Sequence, residues 1–269
     1  MENKLVQIGV AAGELKVSVD TIRRWAKQGL IKSSRDGRGN RLFNVAEIER
    51  LQRKLSGNGE EKPFTVLRSD KTYPRVTCID LFAGGGGTAL GFHNAGLPHV
   101  FLNEFDRDAV ATLRQNSQAH GFDWNICPDD VHEVDFSKLD AQVIQAGFPC
   151  QAFSYAGKSR GFEDTRGTLF FEFARAIRTI RPAIAIGENV RGLVKHDHGN
   201  TLTTMLNTFD ELGYRVNYQV LRAQYLDVPQ KRERLILFAT RKDLDLPIIF
   251  PKENDYVVTL KEALQNVPQ

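Results

Sequence analysis

RVTCIDLFAGGGGTALGFHNAG, residues 75–96, decides the fold. An apolar run suited to a strand ends in the glycines Gly84 to Gly87, and a helix-forming stretch follows. Residues without a side chain let the backbone approach a ligand closely, and the amides at a helix start favour negative charge. Taken alone, the loop reads equally as a tight strand-to-helix turn. GGGGTA also fits a loose G-x-G-x-x-A dinucleotide fingerprint, with Glu104 near the expected acid position.

Working outward, the same alternation repeats. HVFLNEF, AQVIQAGF and PAIAIGEN read as strands. DRDAVATLRQNS, TLFFEFARAIRTI and NTLTTMLNTFDELG read as helices between them, and YRVNYQVL and RERLILFAT as later strands. This order predicts an α/β fold, a doubly wound, mostly parallel Rossmann-like sheet with helices on both faces. Ligands in such sheets bind at the carboxyl ends of the strands. The glycine loop, Glu104, Cys150 and Glu188 all fall at strand ends on this reading.

Composition sets the frame. The chain has 269 residues, 41% hydrophobic and 26% charged, which is ordinary for soluble globular proteins and sufficient for a sizeable core. It carries no apolar run long enough to span a bilayer and no signal-like start. Cys78, Cys127 and Cys150 form no C-x-x-C pair, so a reducing cytoplasm is expected. Net charge is +3, unevenly spread: residues 1–62 hold 13 Lys or Arg against 8 Asp or Glu, and the remainder is slightly acidic. A basic head on a near-neutral body points to nucleic acid.

In the head, VQIGVAAGELKVSVDTIRRWAKQGLIKSS predicts two short helices, with Ile8, Ala11, Ala12 and Leu15 at helical spacing. Ser18 suits the N-cap of the second helix, Asp20 its first turn and Gly29 its C′ position. RDGRGNRLF reads as a basic turn between strands, and Asn44 with Glu47 has capping-box spacing. Through Val19-Asp20-Thr21-Ile22-Arg23-Arg24-Trp25, Gly29-Leu30 and Arg41-Leu42-Phe43, this stretch resembles the winged helix-turn-helix head of MerR-like regulators. The resemblance implies a helix in the major groove, with Arg23, Arg24, Lys27, Arg38 and Arg41 as DNA contacts. The expected organisation is a head over 1–57, a linker over 58–74 and a catalytic body over 75–269.

Several body residues carry two readings each. Cys150 in GFPCQ is either a small buried hydrophobe or a nucleophile. Glu188, inside the apolar AIAIGENV, is either a strand-end cap or a functional acid whose pKa burial raises. Arg232 and Arg234 in QKRER would share one face of a strand, either as edge charges or as two fixed guanidinium groups.

In chain order, DLFAGGGG, NEFD, PDDV, GFPCQAFSYAGKSRGFEDTRGTLFFE, ENVRGL and QKRER resemble the DNA cytosine-5 methyltransferases. The resemblance implies a methyltransferase sheet that uses S-adenosylmethionine and double-stranded DNA, and no metal. Cys150 would attack C6 of a flipped cytosine, presented by Pro149. Glu188 would engage N3 and the amino group, Arg234 would hold O2, and Arg232 would support them. Asp80, Phe82, Gly84, Gly86, Glu104, Phe105, Asp130, Pro149 and Leu169 would hold the cofactor. Gln151 and Ser154 would meet the DNA backbone. A complete enzyme of this kind continues into a target-recognition region and a closing segment, and neither is legible after Arg234. The expectation is therefore the catalytic part alone, completed by a second polypeptide or truncated, in a bacterial or archaeal cytoplasm. The competing readings are a DNA-binding transcriptional regulator with an inactive methyltransferase body and a nicotinamide-dependent oxidoreductase. The second leaves GFPCQ, ENV and QKRER unexplained.

Overall fold

The computed structural model describes residues 4–27, 29–56, 68–149 and 169–264. Two compact units arise: Met1–Thr65 with Arg222–Arg232 and Pro251–Gln269, and Val66–Leu221 with Glu233–Phe250.

The first unit opens with β1 (Leu5–Gln7), α1 (Ile8–Glu14), α2 (Val19–Lys27), β2 (Ser34–Arg35), β3 (Arg41–Asn44) and α3 (Val45–Ser56). The strands form an antiparallel sheet in the order β1-β3-β2. Ala11, Ala12, Leu15, Ile22, Ile31, Phe43, Ile48 and Leu51 make its core, with Trp25 packed against it. The caps are local chemistry. The Ser18 hydroxyl accepts from the Thr21 amide at 3.1 Å, and Gly29 takes φ +73° to end α2. Asn44 accepts from the Ala46 amide, and Glu47 pairs with Arg50 at 2.9 Å. Between β2 and β3 the Asp36 carboxylate accepts from the amides of Arg38 and Asn40 and from the Asn40 side chain, which closes the turn. Those bonds, led by Asn40, hold its pKa below the usual carboxylate range. In the later segments of this unit, Arg222 pairs with Glu253 and stacks on Tyr225 at 4.7 Å.

The second unit is a three-layer α/β body. Its strands are β4 (Cys78–Leu81), β5 (His99–Asn103), β6 (Ile126–Cys127), β7 (Val143–Ala146), β8 (Ile184–Val190), β9 (Tyr214–Arg222) and β10 (Glu233–Arg241). The helices are α4 (Gly87–Asn94), α5 (Arg107–His120), α6 (Leu169–Ile180) and α7 (Asn200–Glu211). The sheet order is β6-β5-β4-β7-β8-β10-β9, parallel from β6 to β8, with β10 antiparallel to β8. A doubly wound, mostly parallel Rossmann-like sheet is therefore what the alternation produces. Every residue of β4 and β7 is buried, as strands covered on both faces require. Phe148, Phe170, Phe171, Phe173 and Phe209 interlock beneath the sheet through edge-on contacts such as Phe148–Phe170 at 5.4 Å. Gly86, at φ +92°, is the hinge of the first loop: a Cβ there would lie 2.8 Å from Leu113. No helix among the described residues is long and apolar enough to cross a membrane.

Candidate active site

The carboxyl ends of the parallel strands gather one cavity of about 400 Å³. Phe82, Asn103, Glu104, Phe105, Asp106, Asp130, Val131, Gly147, Pro149 and Leu169 line it. Five elements supply these residues, because the chain leaves the same sheet edge after each strand. Sequence reasoning named Phe82, Glu104, Phe105, Asp130, Pro149 and Leu169. It missed Asn103, Asp106, Val131 and Gly147. Asn103 ends β5, where a strand-end signal existed, and its side-chain Nδ2 donates to the Asp129 carbonyl at 2.8 Å.

Phe82 takes φ +59°, a conformation rare outside glycine and concentrated at functional sites. Glu104 is held at both oxygens. Its Oε2 accepts from the Gly84 amide at 2.7 Å and its Oε1 from the Asp106 amide at 2.8 Å. Gly84 thus serves the cavity through Glu104, and Gly86 through the turn; neither lines the wall. A fixed carboxylate with spare lone pairs suits a diol. Phe105, 69% exposed, offers a bare ring face beside it. Asp130 receives two bonds from His132, from the backbone amide at 3.0 Å and from Nδ1 at 2.6 Å. Those bonds, the backbone one foremost, keep its carboxyl below the usual range.

Asp80 behaves differently. It lies in the middle of the sheet with no exposed surface, and neither oxygen has a hydrogen-bond partner among the described residues. Burial, and secondarily the Glu104 charge, push its pKa well above the usual carboxylate range. It stands behind the wall of the cavity rather than in it.

Glu188 and Arg234 meet. Arg234 Nε lies 2.7 Å from Glu188 Oε1, and both side chains are roughly three-quarters buried. The acid that looked costly inside β8 is therefore compensated by an ion pair. A Cβ on Gly147 would sit 3.7 Å from Glu188 Oε2, so the pair borders the cavity wall. Asn189 donates to the Phe148 carbonyl at 2.8 Å and ties β8 to the GFP turn.

Arg232 lies one residue before the strand that carries Arg234. β10 starts at Glu233, and its ladder to β8 ends with Arg234 opposite Val190. Beyond Val190 the segment paired with β10 leaves the sheet. Cys150, Gln151 and Ser154 lie outside the described residues.

In the head, a separate groove of about 680 Å³ is lined by Gln7, Ile8, Arg23, Arg24, Lys27, Arg35, Gly39, Asn40 and Arg41. It gathers Arg23, Arg24, Lys27 and Arg41 as the sequence suggested and adds Arg35, which β2 points into it. Arg38 is absent from the lining and sits in the turn. Arg23 is also paired with Asp20 at 2.7 Å. Arg41 Nη1 is buried with no partner among the described residues. Among the described residues no cluster of His, Cys, Asp or Glu is placed to hold a metal ion.

The profile of C-5 cytosine-specific DNA methylases matches residues 76–268, and that of MerR HTH family regulatory proteins matches residues 6–53. The type II methyltransferase M.Eco47II of Escherichia coli is 44% identical over 93% of this chain and 60% of its own length. M.PspPI of Psychrobacter is 38% identical over 95% of this chain and 62% of its own. The chain thus spans about 60% of the length of these curated relatives. A DNA modification methyltransferase encoded within an E. coli prophage superposes with a TM-score of 0.57 at 24% identity, over 72% of this chain and 55% of that one. This last likeness is one of fold.

Proposed function

Since the chain belongs to the C-5 cytosine-specific DNA methylase family, we propose that it carries the catalytic machinery for moving a methyl group from S-adenosylmethionine to C5 of a DNA cytosine. The observation that carries this reading is the cavity at the strand ends, with Glu104, Phe105 and Asp130 on its wall and the Glu188–Arg234 pair beside Gly147.

The residues fit the cofactor. A cavity of about 400 Å³ suits a nucleoside-sized ligand. Glu104 would accept from the ribose diol, Phe105 would cover the base, and Asp130 would accept from its exocyclic amine. Phe82, Pro149 and Leu169 would pack against it. When bound, S-adenosylmethionine supplies an electrophilic methyl group.

The chain's own groups do the rest. Cytosine C5 is a poor nucleophile until a group adds at C6. The Cys150 thiolate would form that bond, next to Pro149 in the sequence. Glu188 would hold N3 and the amino group while negative charge moves into the ring, and Arg234 would hold both O2 and the Glu188 carboxylate. After C5 gains the methyl group, a water molecule would take its proton, the C–H electrons would restore the C5–C6 double bond, and the Cys150 sulfur would leave C6 with the C–S electrons. A base buried in a duplex cannot reach such a site, so flipping is required.

For the head, the basic groove favours contact with DNA phosphates. A cytoplasmic, DNA-associated protein follows from both parts.

The test is transfer of labelled methyl from S-adenosylmethionine to mixed-sequence DNA, with Cys150→Ala as control. The chain is assayed alone and with lysate of its source cells. Cys150-dependent transfer by the chain alone establishes the reading and rejects a need for a second polypeptide. Transfer that appears only with lysate identifies a second polypeptide as supplier of what the relatives carry in their remaining length. No transfer in either, with salt-dependent DNA binding intact, favours a regulator with an inactive body.

A further inference from the structure

Arg175 lies in α6, outside the cavity wall and outside every motif singled out in the sequence. Its guanidinium is almost fully engaged. Nη2 donates to the Val131 carbonyl at 2.8 Å and Nη1 to the Val134 carbonyl at 2.9 Å. Nε donates to Glu172 Oε2 at 2.7 Å, one helical turn away. The cation also sits 4.4 Å above the Phe136 ring. One rigid fork therefore grips both ends of a single turn, and Glu172 fixes the fork.

That turn is the wall of the cavity. Val131 lines it, and Asp130 stands immediately before as the cap of the turn. Leu169, the first residue of α6, lines the same cavity. The helix thus contributes one wall residue directly and holds two others through Arg175. His132 completes the support: among the described residues its amide and ring occupy Asp130 Oδ1 and leave Oδ2 for a ligand. A carboxylate held in this way discriminates by chemistry: it accepts from an exocyclic amine and repels a carbonyl at the same place.

We propose that Arg175 is a positioning residue that sets Asp130 and Val131 against the cofactor's base, and so gives the cavity its preference for adenine over hypoxanthine. This rests on the cofactor reading above. A brace that served only the core would change stability and leave that preference alone.

The test compares binding of S-adenosylhomocysteine and S-inosylhomocysteine to the full chain by calorimetry, which needs no DNA and no turnover. The unaltered chain is expected to prefer the adenosyl ligand by about tenfold, the worth of one well-placed charged hydrogen bond. Arg175→Met keeps the stem over Phe136 and removes the fork. It is expected to weaken adenosyl binding about tenfold with little change for the inosyl ligand, so the preference collapses. Arg175→Lys, which retains one charged donor, is expected to fall between and decides the matter if the Met variant does not fold. Full preference in a folded Arg175 variant overturns the proposal while the cofactor reading stands. Failure of the unaltered chain to bind either ligand overturns both.

Discussion

Arg234 Nε and Glu188 Oε1, carried by antiparallel strands, lie 2.7 Å apart at the edge of the cavity. In the register Glu188 faces Ile236 and Arg234 faces Val190, so the two side chains meet on the diagonal. The geometry ties the two side chains together: Glu188 is aimed by the guanidinium, and Arg234 is kept from wandering by the carboxylate.

Glu188→Gln is expected to cut methyl transfer by at least about a hundredfold, the usual worth of a positioned acid or base group. Combined with Arg234→Ala in a double-mutant cycle on unfolding, the pair is expected to show a coupling of about 1 kcal/mol or more, as contacting residues do. Additive losses would mean that the pairing does not operate in solution.

Glu104 makes a second case, because both of its oxygens are already used by backbone amides. Glu104→Gln places an amide N–H against the N–H of Gly84 or Asp106. Affinity for S-adenosylhomocysteine is expected to fall about 10- to 100-fold, the worth of one or two charged hydrogen bonds. Calorimetry reads this directly, and unchanged binding would remove Glu104 from the site.

His99 is buried between Phe92 and Trp124, and neither ring nitrogen has a partner among the described residues. Burial, helped by the nearby His93, lowers its pKa to about 4. The neutral ring is the folded form, so the folded chain binds fewer protons than the unfolded one as pH falls. Stability associated with His99 is full above the unfolded value of about 6.5 and drains away towards pH 4, by up to about 3 kcal/mol. Denaturant titrations at several pH values should show this slope, and His99→Leu should flatten it.

Gly96 takes φ +83°, and a Cβ there would run into the backbone carbonyl of Lys71. The Tyr73 amide donates to the Gly96 carbonyl at 2.8 Å, so the strap before β4 is docked at this point. Gly96→Ala is expected to cost on the order of 2–3 kcal/mol, from left-handed strain plus the clash. A chemical-denaturation midpoint equal to that of the unaltered chain would contradict the close approach.

Much of the body was legible because its signals are local. The apolar strand run, the glycine turn and the amphipathic helix repeat within a few residues, and each repeats along the chain. The resulting sheet puts Glu104, Phe105, Asp130, Pro149 and Leu169 around one cavity with no further instruction. The caps at Ser18, Gly29 and Asn44 were equally local, since each satisfies backbone groups of its own helix end.

Sequence by itself therefore determined the order of strands and helices, the motif residues at the strand ends and the basic head. Tertiary structure alone decided which charges meet. Arg234 and Glu188 lie 46 positions apart in the chain, and only the antiparallel register of β10 on β8 sets them on a diagonal where they pair. Asp80 and Glu104 are both strand acids, and only depth in the sheet makes one a buried carboxyl without partners and the other a held carboxylate. Arg175 carried no sequence signal, because an arginine on a helix gains its meaning from the carbonyls that another segment brings to it. Periodicity is a property of neighbours along the chain, whereas pairing, burial and desolvation depend on the register between strands and on depth within the core, and these exist only once the chain has closed on itself.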